Sequence, residues 1–342
     1  MGGVRSGRCV ARHGAMMTRR DPPHKATPSS GPRPVHRRYH DAVMKSPTPQ
    51  ISEPRIDPPG SAPGSAGTAP VRLGAVSYLN TLPLIEGLEK LKDVELTLRP
   101  PSELIGELLS GRVDAALAPV IDAQLGTEPL ALLPCGMIGC DGPTLTVRLS
   151  SDRPLNELER VRVDSESHTS VVLMRIILKR MHGVEPALEV VDGQSLLRGD
   201  DAPSGATLLI GDKVITGAET LADAPIQLDL GEAWKEMTGL PFVYAVWMCR
   251  ASQVDAPNID LAMAVLDRQR LHNRTRLDRI ARTRGPEHDW PTRSASEYLG
   301  RMLRYEVGPR EREAIERFYD EAADLGMIER SPTVWVDRQG VT

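Results

Sequence analysis

From Val71 onward, short runs of β-forming residues alternate with amphipathic stretches, and this alternation restricts the fold more than any single motif does. The run VRLGAVSYL opens the series and leads into Asn80-Thr81-Leu82-Pro83, where a polar residue ahead of a proline signals a helix start. Val94–Arg99 reads as a strand, and Ser102–Ser110 as a helix begun by Ser102 and ended by Gly111. Val113–Ala118 is almost continuously apolar, the pattern of a strand covered on both faces. Strands and helices alternating at this length predict right-handed βαβ units around a mostly parallel sheet.

A second series starts near residue 160. Arg160–Asp164 reads as a strand and Ser165–Ser170 as a polar turn. Val171–Met181 reads as a helix with Leu173, Ile176, Ile177 and Met181 inward, closed by His182-Gly183. Leu188–Val191 and Thr207–Ile210 read as buried strands. Thr144–Ser150 and Phe242–Cys249 are extended and apolar, and are expected to cross between two lobes. Three helices complete the chain: Ile259–His272 capped by Asn258, a helix from a Ser294/Glu297 capping box to about Tyr305, and Pro309–Leu325 ended by Gly326. The predicted architecture is α/β, of the type II periplasmic-binding-protein plan: two α/β lobes joined by two crossing strands, with a ligand cleft between them. Residues 71–155 and 243–337 form one expected lobe and 156–242 the other.

The net charge of −4 over 342 residues hides a basic lead. Residues 1–70 carry eleven Lys and Arg against four Asp and Glu, and 12 of the 29 prolines, leaving −11 for the remainder. Such a Pro/Gly/Ser-rich segment buries too little apolar surface to offset its chain entropy and is expected to be disordered. It holds no apolar core of a secretory signal, so a cytoplasmic location is expected. No apolar run approaches the roughly 18 residues of a membrane helix, and the acidic ordered part disfavours nucleic acid. Four scattered cysteines form no CxxC pair, and no nucleotide, metal or serine-hydrolase motif occurs, so neither a metal nor a cofactor is expected.

Chemistry is expected at the loops that precede helices, where free backbone N–H groups favour anions. Ser77, Tyr78, Asn80 and Thr81 lie on the first such loop, and Asp164 to Ser170 on the second, with Thr169 and Ser170 at the helix start. Both have a plainer reading as helix caps. Asp141 and Gly142 sit in a sharp GCDGP turn. Asp212 ends a strand, where it either reaches a ligand or caps the next turn, and Asp122 is read as a cleft carboxylate or a helix cap. His168 is a candidate base, a loop histidine being more often simply solvated. Cys140 lacks a histidine partner in sequence, which leaves little for a nucleophilic thiol.

Taken together, GAVSYLNTLPL, GCDGP, SHTSVVLMRIIL, LLIGDKVI and DLGEAWKEMTGLPFVYAVW resemble the chorismate dehydratases of the futalosine route to menaquinone, over roughly residues 71–337. The resemblance implies a type II binding-protein fold that works without a cofactor. It removes water from chorismate to give 3-[(1-carboxyvinyl)oxy]benzoate. Asn80 falls on the family's catalytic asparagine. Ser77, Tyr78, Thr81, Asp141, Gly142, Thr169, Ser170 and Asp212 are then the expected substrate contacts. Many members carry a serine after the proline that ends the third strand; here that residue is Val120, with Asp122 or Thr144 as possible replacements. The rival readings are a solute receptor of the same fold, the related dihydroxynaphthoate-forming enzyme and a ligand-sensing regulator. The first lacks an export signal, the YLNTLPL opening disfavours the second, and the third lacks a helix-turn-helix.

Overall fold

The computed structural model describes residues 69–164, 167–191, 205–217 and 224–337. The basic lead through residue 68, and with it the expected disorder, lies outside the described residues, as do Ser165 and Glu166 of the polar turn.

The first sheet collects β1 (Val71–Ala75), β2 (Val94–Leu98), β3 (Ala115–Pro119), β4 (Leu130–Cys140), β10 (Phe242–Arg250) and β11 (Leu303–Arg304), in the order β11-β4-β10-β3-β1-β2, with β12 (Val334–Trp335) also on β4. The second collects β5 (Val147–Ser151), β6 (Arg160–Asp164), β7 (Ala187–Val191), β8 (Ala206–Ile210) and β9 (Ile226–Asp229), in the order β7-β6-β8-β5-β9. Each has a parallel part: β1 with β2 and β3, and β6 with β7 and β8. Each is then extended by antiparallel pairs, so the sheets are mixed rather than mostly parallel.

The apolar run of β3 is explained by its two covered faces. Ala116 and Ala118 pack into one core cluster, while Ala115 and Leu117 pack into the other, as the two-residue period of a strand requires. The described helices are α1 (Leu82–Ile85), α2 (Pro101–Leu109), α3 (Asp122–Leu125), α4 (His168–His182), α5 (Lys213–Thr216), α6 (Leu230–Thr238), α7 (Pro257–Arg274), α8 (Leu277–Arg284), α9 (Thr292–Glu297) and α10 (Pro309–Asp324). Trp234 of α6 meets Phe242 of β10 and Phe318 of α10 edge-on, with ring centroids 5.3 and 6.2 Å apart. Each such pair adds about 0.5–1.5 kcal/mol beyond the area it buries. That cluster ties a helix beside the second sheet to a strand of the first and to the C-terminal helix.

Several expectations are corrected. β4 has no counterpart in the sequence reading. Pro134, Gly136 and Gly139 break its strand signal; Pro134 and Gly136 fall where the register with β10 shifts, between Leu133 and Met137, while Gly139 pairs with Val243. Neither expected crossing strand is shared between sheets: among the described residues, β5 pairs with β8 and β9 alone, and β10 with β3 and β4 alone. The first change of sheet therefore falls at residues 141–146, not at 155. β7, expected to be buried, is an edge strand with three of its five residues exposed. Ser102, Asn258 and Ser294 cap nothing; α2, α7 and α9 begin one or two residues earlier, each with proline in the first turn or just before it. The helix expected to run to Tyr305 stops at Glu297 and continues as a single π turn, Tyr298–Met302.

Candidate active site

Between the two sheets lies a half-open cavity with about 670 Å³ of atom-free space, the solvent at its mouth included. Its wall takes Leu117, Pro119 and Ile138 from the first sheet, Val147 and Ile210 from the second, and residues 167–170 from the start of α4. Among the described residues, no Arg or Lys lines it. Polarity comes instead from amide, hydroxyl and imidazole groups.

Asn80 is on this wall, and it does not cap a helix. It sits inside a single 3-10 turn, Leu79–Thr81, whose N-cap is Tyr78, while α1 is capped at Thr81; neither cap makes a side-chain hydrogen bond. The Asn80 Oδ1 accepts from Thr81 Oγ1 at 3.2 Å. Beside it, the Tyr298 hydroxyl shares a 2.6 Å hydrogen bond with Thr146 Oγ1 and also reaches the Asn80 side chain. Burial pushes the Tyr298 phenol well up, against the opposing pull of Thr146 and Asn80, so it stays protonated. Its ring stacks on Trp290, with centroids 4.8 Å apart and planes 16° from parallel.

The start of α4 supplies the opposite wall. This helix is 15 residues long, and its N-cap, Ser167, makes no side-chain capping bond, so the plain capping reading fails here too. Ser167 Oγ is buried without a partner, Thr169 Oγ1 accepts from Ile121 N at 3.4 Å, and Ser170 lines the cavity. His168, also on the wall, is buried rather than solvated, with Nδ1 2.8 Å from Asp122 Oδ1. Burial pushes its imidazole down, but the charge and hydrogen bond of Asp122 more than offset this and leave it above the usual histidine value.

Thr144 and Thr146 reach the wall from the first crossover, which a buried carboxylate holds. Asp229 accepts from Thr144 N at 3.0 Å and Leu145 N at 2.7 Å, and caps α6 through Gly231 N at 3.0 Å and Glu232 N at 3.2 Å. Leu145 is thereby kept at φ +66°, a left-handed conformation disfavoured for leucine. The Tyr244 hydroxyl, buried at the wall beside Thr144 and Cys140, is not taken up by a hydrogen bond of good geometry. Burial, with a smaller contribution from the Asp229 charge, pushes the Cys140 thiol up to about 12, which removes it as a nucleophile.

Of the residues singled out by sequence, Tyr78, Asn80, Thr144, Ser167, His168, Thr169 and Ser170 line the cavity. The others do not. Ser77 is exposed, and Thr81 is fully buried behind Asn80. Asp141 is drawn to the surface by Lys235 Nζ at 2.6 Å, and Gly142 sits behind the wall at φ +127°. Asp212 turns to other partners described below. Val120 is fully buried, its N–H donating to Tyr244 O at 3.0 Å and its O accepting from Tyr319 Oη at 2.7 Å. Of the two replacements considered for it, Thr144 reaches the wall, and Asp122 acts only through His168. Tyr244, Tyr298 and Asp229 carried no local signal. Both tyrosines draw their role from partners distant in sequence, and Asp229, whose local role is to cap α6, also holds Thr144 and Leu145, 85 and 84 residues away.

Two sheets with a cavity between them define the periplasmic-binding-protein fold, and solved structures agree. A Candida albicans gene product described as having the generic periplasmic binding protein fold aligns with a TM-score of 0.58 and 16% identity, over 77% of this chain and 92% of that one. The alkanesulfonate-binding protein SsuA of Xanthomonas axonopodis pv. citri aligns with a TM-score of 0.55 and 14% identity, over 78% and 96%. Within that fold the chain belongs to the menaquinone biosynthesis family, whose profile matches residues 71–324. Among curated relatives, the chorismate dehydratase of Thermus thermophilus is 33% identical over 196 residues, covering 53% of this chain and 70% of the relative.

Proposed function

We propose that this chain is a cytoplasmic carbon–oxygen lyase, a chorismate dehydratase that forms 3-[(1-carboxyvinyl)oxy]benzoate and water without a cofactor. The relative from Thermus thermophilus supports the activity. The observation that carries the mechanism is an asparagine placed on the cavity wall, relieved of any capping duty and set beside the Tyr298–Thr146 pair.

The reaction asks little of a strong acid or base. The ring loses a C–H proton and the hydroxyl of the neighbouring carbon; the C–H electron pair becomes a ring π bond, and the hydroxide leaves with a proton as water. Aromaticity supplies the driving force, so the protein mainly fixes a conformer and aligns the proton acceptor. Asn80 offers both a donor and an acceptor for this purpose. The free N–H groups at the start of α4, with Ser167, Thr169 and Ser170, suit a substrate carboxylate without an arginine. The second expected helix end contributes less, because α1 has only four residues and little aligned dipole.

The test is to incubate the purified chain with chorismate and separate the products by chromatography. Formation of the enolpyruvyl-benzoate supports the reading. Chorismate bound but recovered unchanged would make the chain a solute-binding protein, and no binding would overturn both readings.

A further inference from the structure

Asp212 follows β8 in the second sheet, at the start of α5, yet its side chain makes no capping bond there. Its carboxylate instead accepts from three groups that belong with the first sheet. Leu79 N–H donates to Oδ2 at 3.1 Å, the His288 ring donates from Nδ1 to the same oxygen at 3.0 Å, and Trp290 Nε1 donates to Oδ1 at 3.0 Å. The neighbouring Gly211 is built into the same contact. At φ +68° its Cα faces the Tyr78 ring, and a Cβ there would stand 3.2–3.5 Å from three ring atoms. Its N–H donates to Thr146 O at 2.9 Å.

These contacts converge on one residue. Tyr78 and Leu79 immediately precede Asn80. Trp290 carries the stacked Tyr298, whose hydroxyl meets Thr146 and reaches Asn80. The two-residue turn thus holds the backbone leading into Asn80 and, through Trp290, the phenol beside it. The three Asp212 bonds span from one half to the other, so opening the cleft would break them, while the Gly211 bond to Thr146 stays within the second half.

We propose that the Gly211-Asp212 turn is a positioning element that sets Asn80 for reaction as the two halves close, with Asp212 acting through Asn80 and not on the substrate. The activity arm of its test rests on the dehydratase reading; the spectroscopic arm does not.

Two variants probe the turn separately. Asp212→Asn places an amide N–H₂ against donor groups, and Gly211→Ala presses a methyl group on the Tyr78 ring. Each should lower kcat for chorismate by roughly 10- to 100-fold, the scale of a small misplacement of a reacting group, with KM changed less than about threefold. In an Asn80→Ser background neither should lower kcat further, because residues that act through one group are not additive. Loss of the same factor in both backgrounds, or an unchanged kcat in the Asn80 background, would overturn the proposal. Independently of turnover, the Trp290 indole N–H resonance, assigned with Trp290→Phe, should shift and exchange faster in Asp212→Asn. An unchanged resonance would show that the clasp does not form in solution. If the native chain yields no product while this resonance responds as expected, the dehydratase reading fails and the clasp stands.

Discussion

Replacing Asp229 by alanine tests the coupling between the crossover and the cavity wall. The carboxylate serves four backbone N–H groups: two at the start of α6, and those of Thr144 and Leu145. Losing the helix cap costs about 0.5–2 kcal/mol. Thr144 N is buried with a fully covered residue, and leaving such a donor unpaired costs about 1–3 kcal/mol more. Leu145 is half-buried, so water can reach its N–H, and release from φ +66° returns part of the strain. The expected net loss is about 2–4 kcal/mol. For a chain of this size the lower conversion of about 2 °C per kcal/mol applies, giving a fall in Tm of about 4–8 °C. Asp229→Asn keeps one acceptor oxygen and should lose about half as much. The assay is thermal unfolding followed by circular dichroism, with urea unfolding as a check that the slope is unchanged. A Tm within about 1 °C of the native chain for Asp229→Ala would refute the argument that this carboxylate holds the crossover.

The His168–Asp122 pair makes stability depend on pH. Because the folded imidazole lies above the usual histidine value, its contribution is complete below about pH 6.5 and lost as pH rises through the folded value. Tm should therefore fall over that interval in the native chain and less so in His168→Gln; equal slopes would contradict the assignment. Cys140, pushed up to about 12 and buried with Cys135 and Cys249, should resist iodoacetamide at pH 8 in the folded protein, as read by peptide mass mapping. Modification of Cys140 as fast as in the unfolded chain would contradict its placement.

How far the sequence could be read follows from what each residue's role depends on. β6 and α10 were legible because local periodicity and terminators define them; β6 matches its expected bounds, and α10 begins at Pro309 as expected and ends one residue before the expected Leu325. β4 was not, since Pro134 and Gly136 fall where its register shifts against β10, a partner more than a hundred residues away. Asn80 was legible as a loop residue before a helix, but local sequence left its capping role open; only the position of Tyr78 and Thr81 as the actual caps decides it. Asp212 resolves the opposite way. Its place at a strand end left a ligand contact and a turn cap equally open, while its partners in the structure are Leu79 and the distant segment from His288 to Trp290. His168, read as a loop histidine more often solvated, is instead the first residue of α4 and buried against Asp122, a partner 46 residues away.

The most direct measurement is kcat for chorismate dehydration by Asn80→Ser beside the native chain, on protein shown by melting to be folded. Asn80 caps no helix, so the substitution removes its 3.2 Å bond from Thr81 and its contact with the Tyr298 hydroxyl, and should leave Tm within a few degrees. The account predicts that the native chain forms 3-[(1-carboxyvinyl)oxy]benzoate and that Asn80→Ser forms it about 10²–10⁴ times more slowly, the range for loss of a positioned proton-transfer group. A rate within about threefold of the native one, under 1 kcal/mol of barrier, would contradict it.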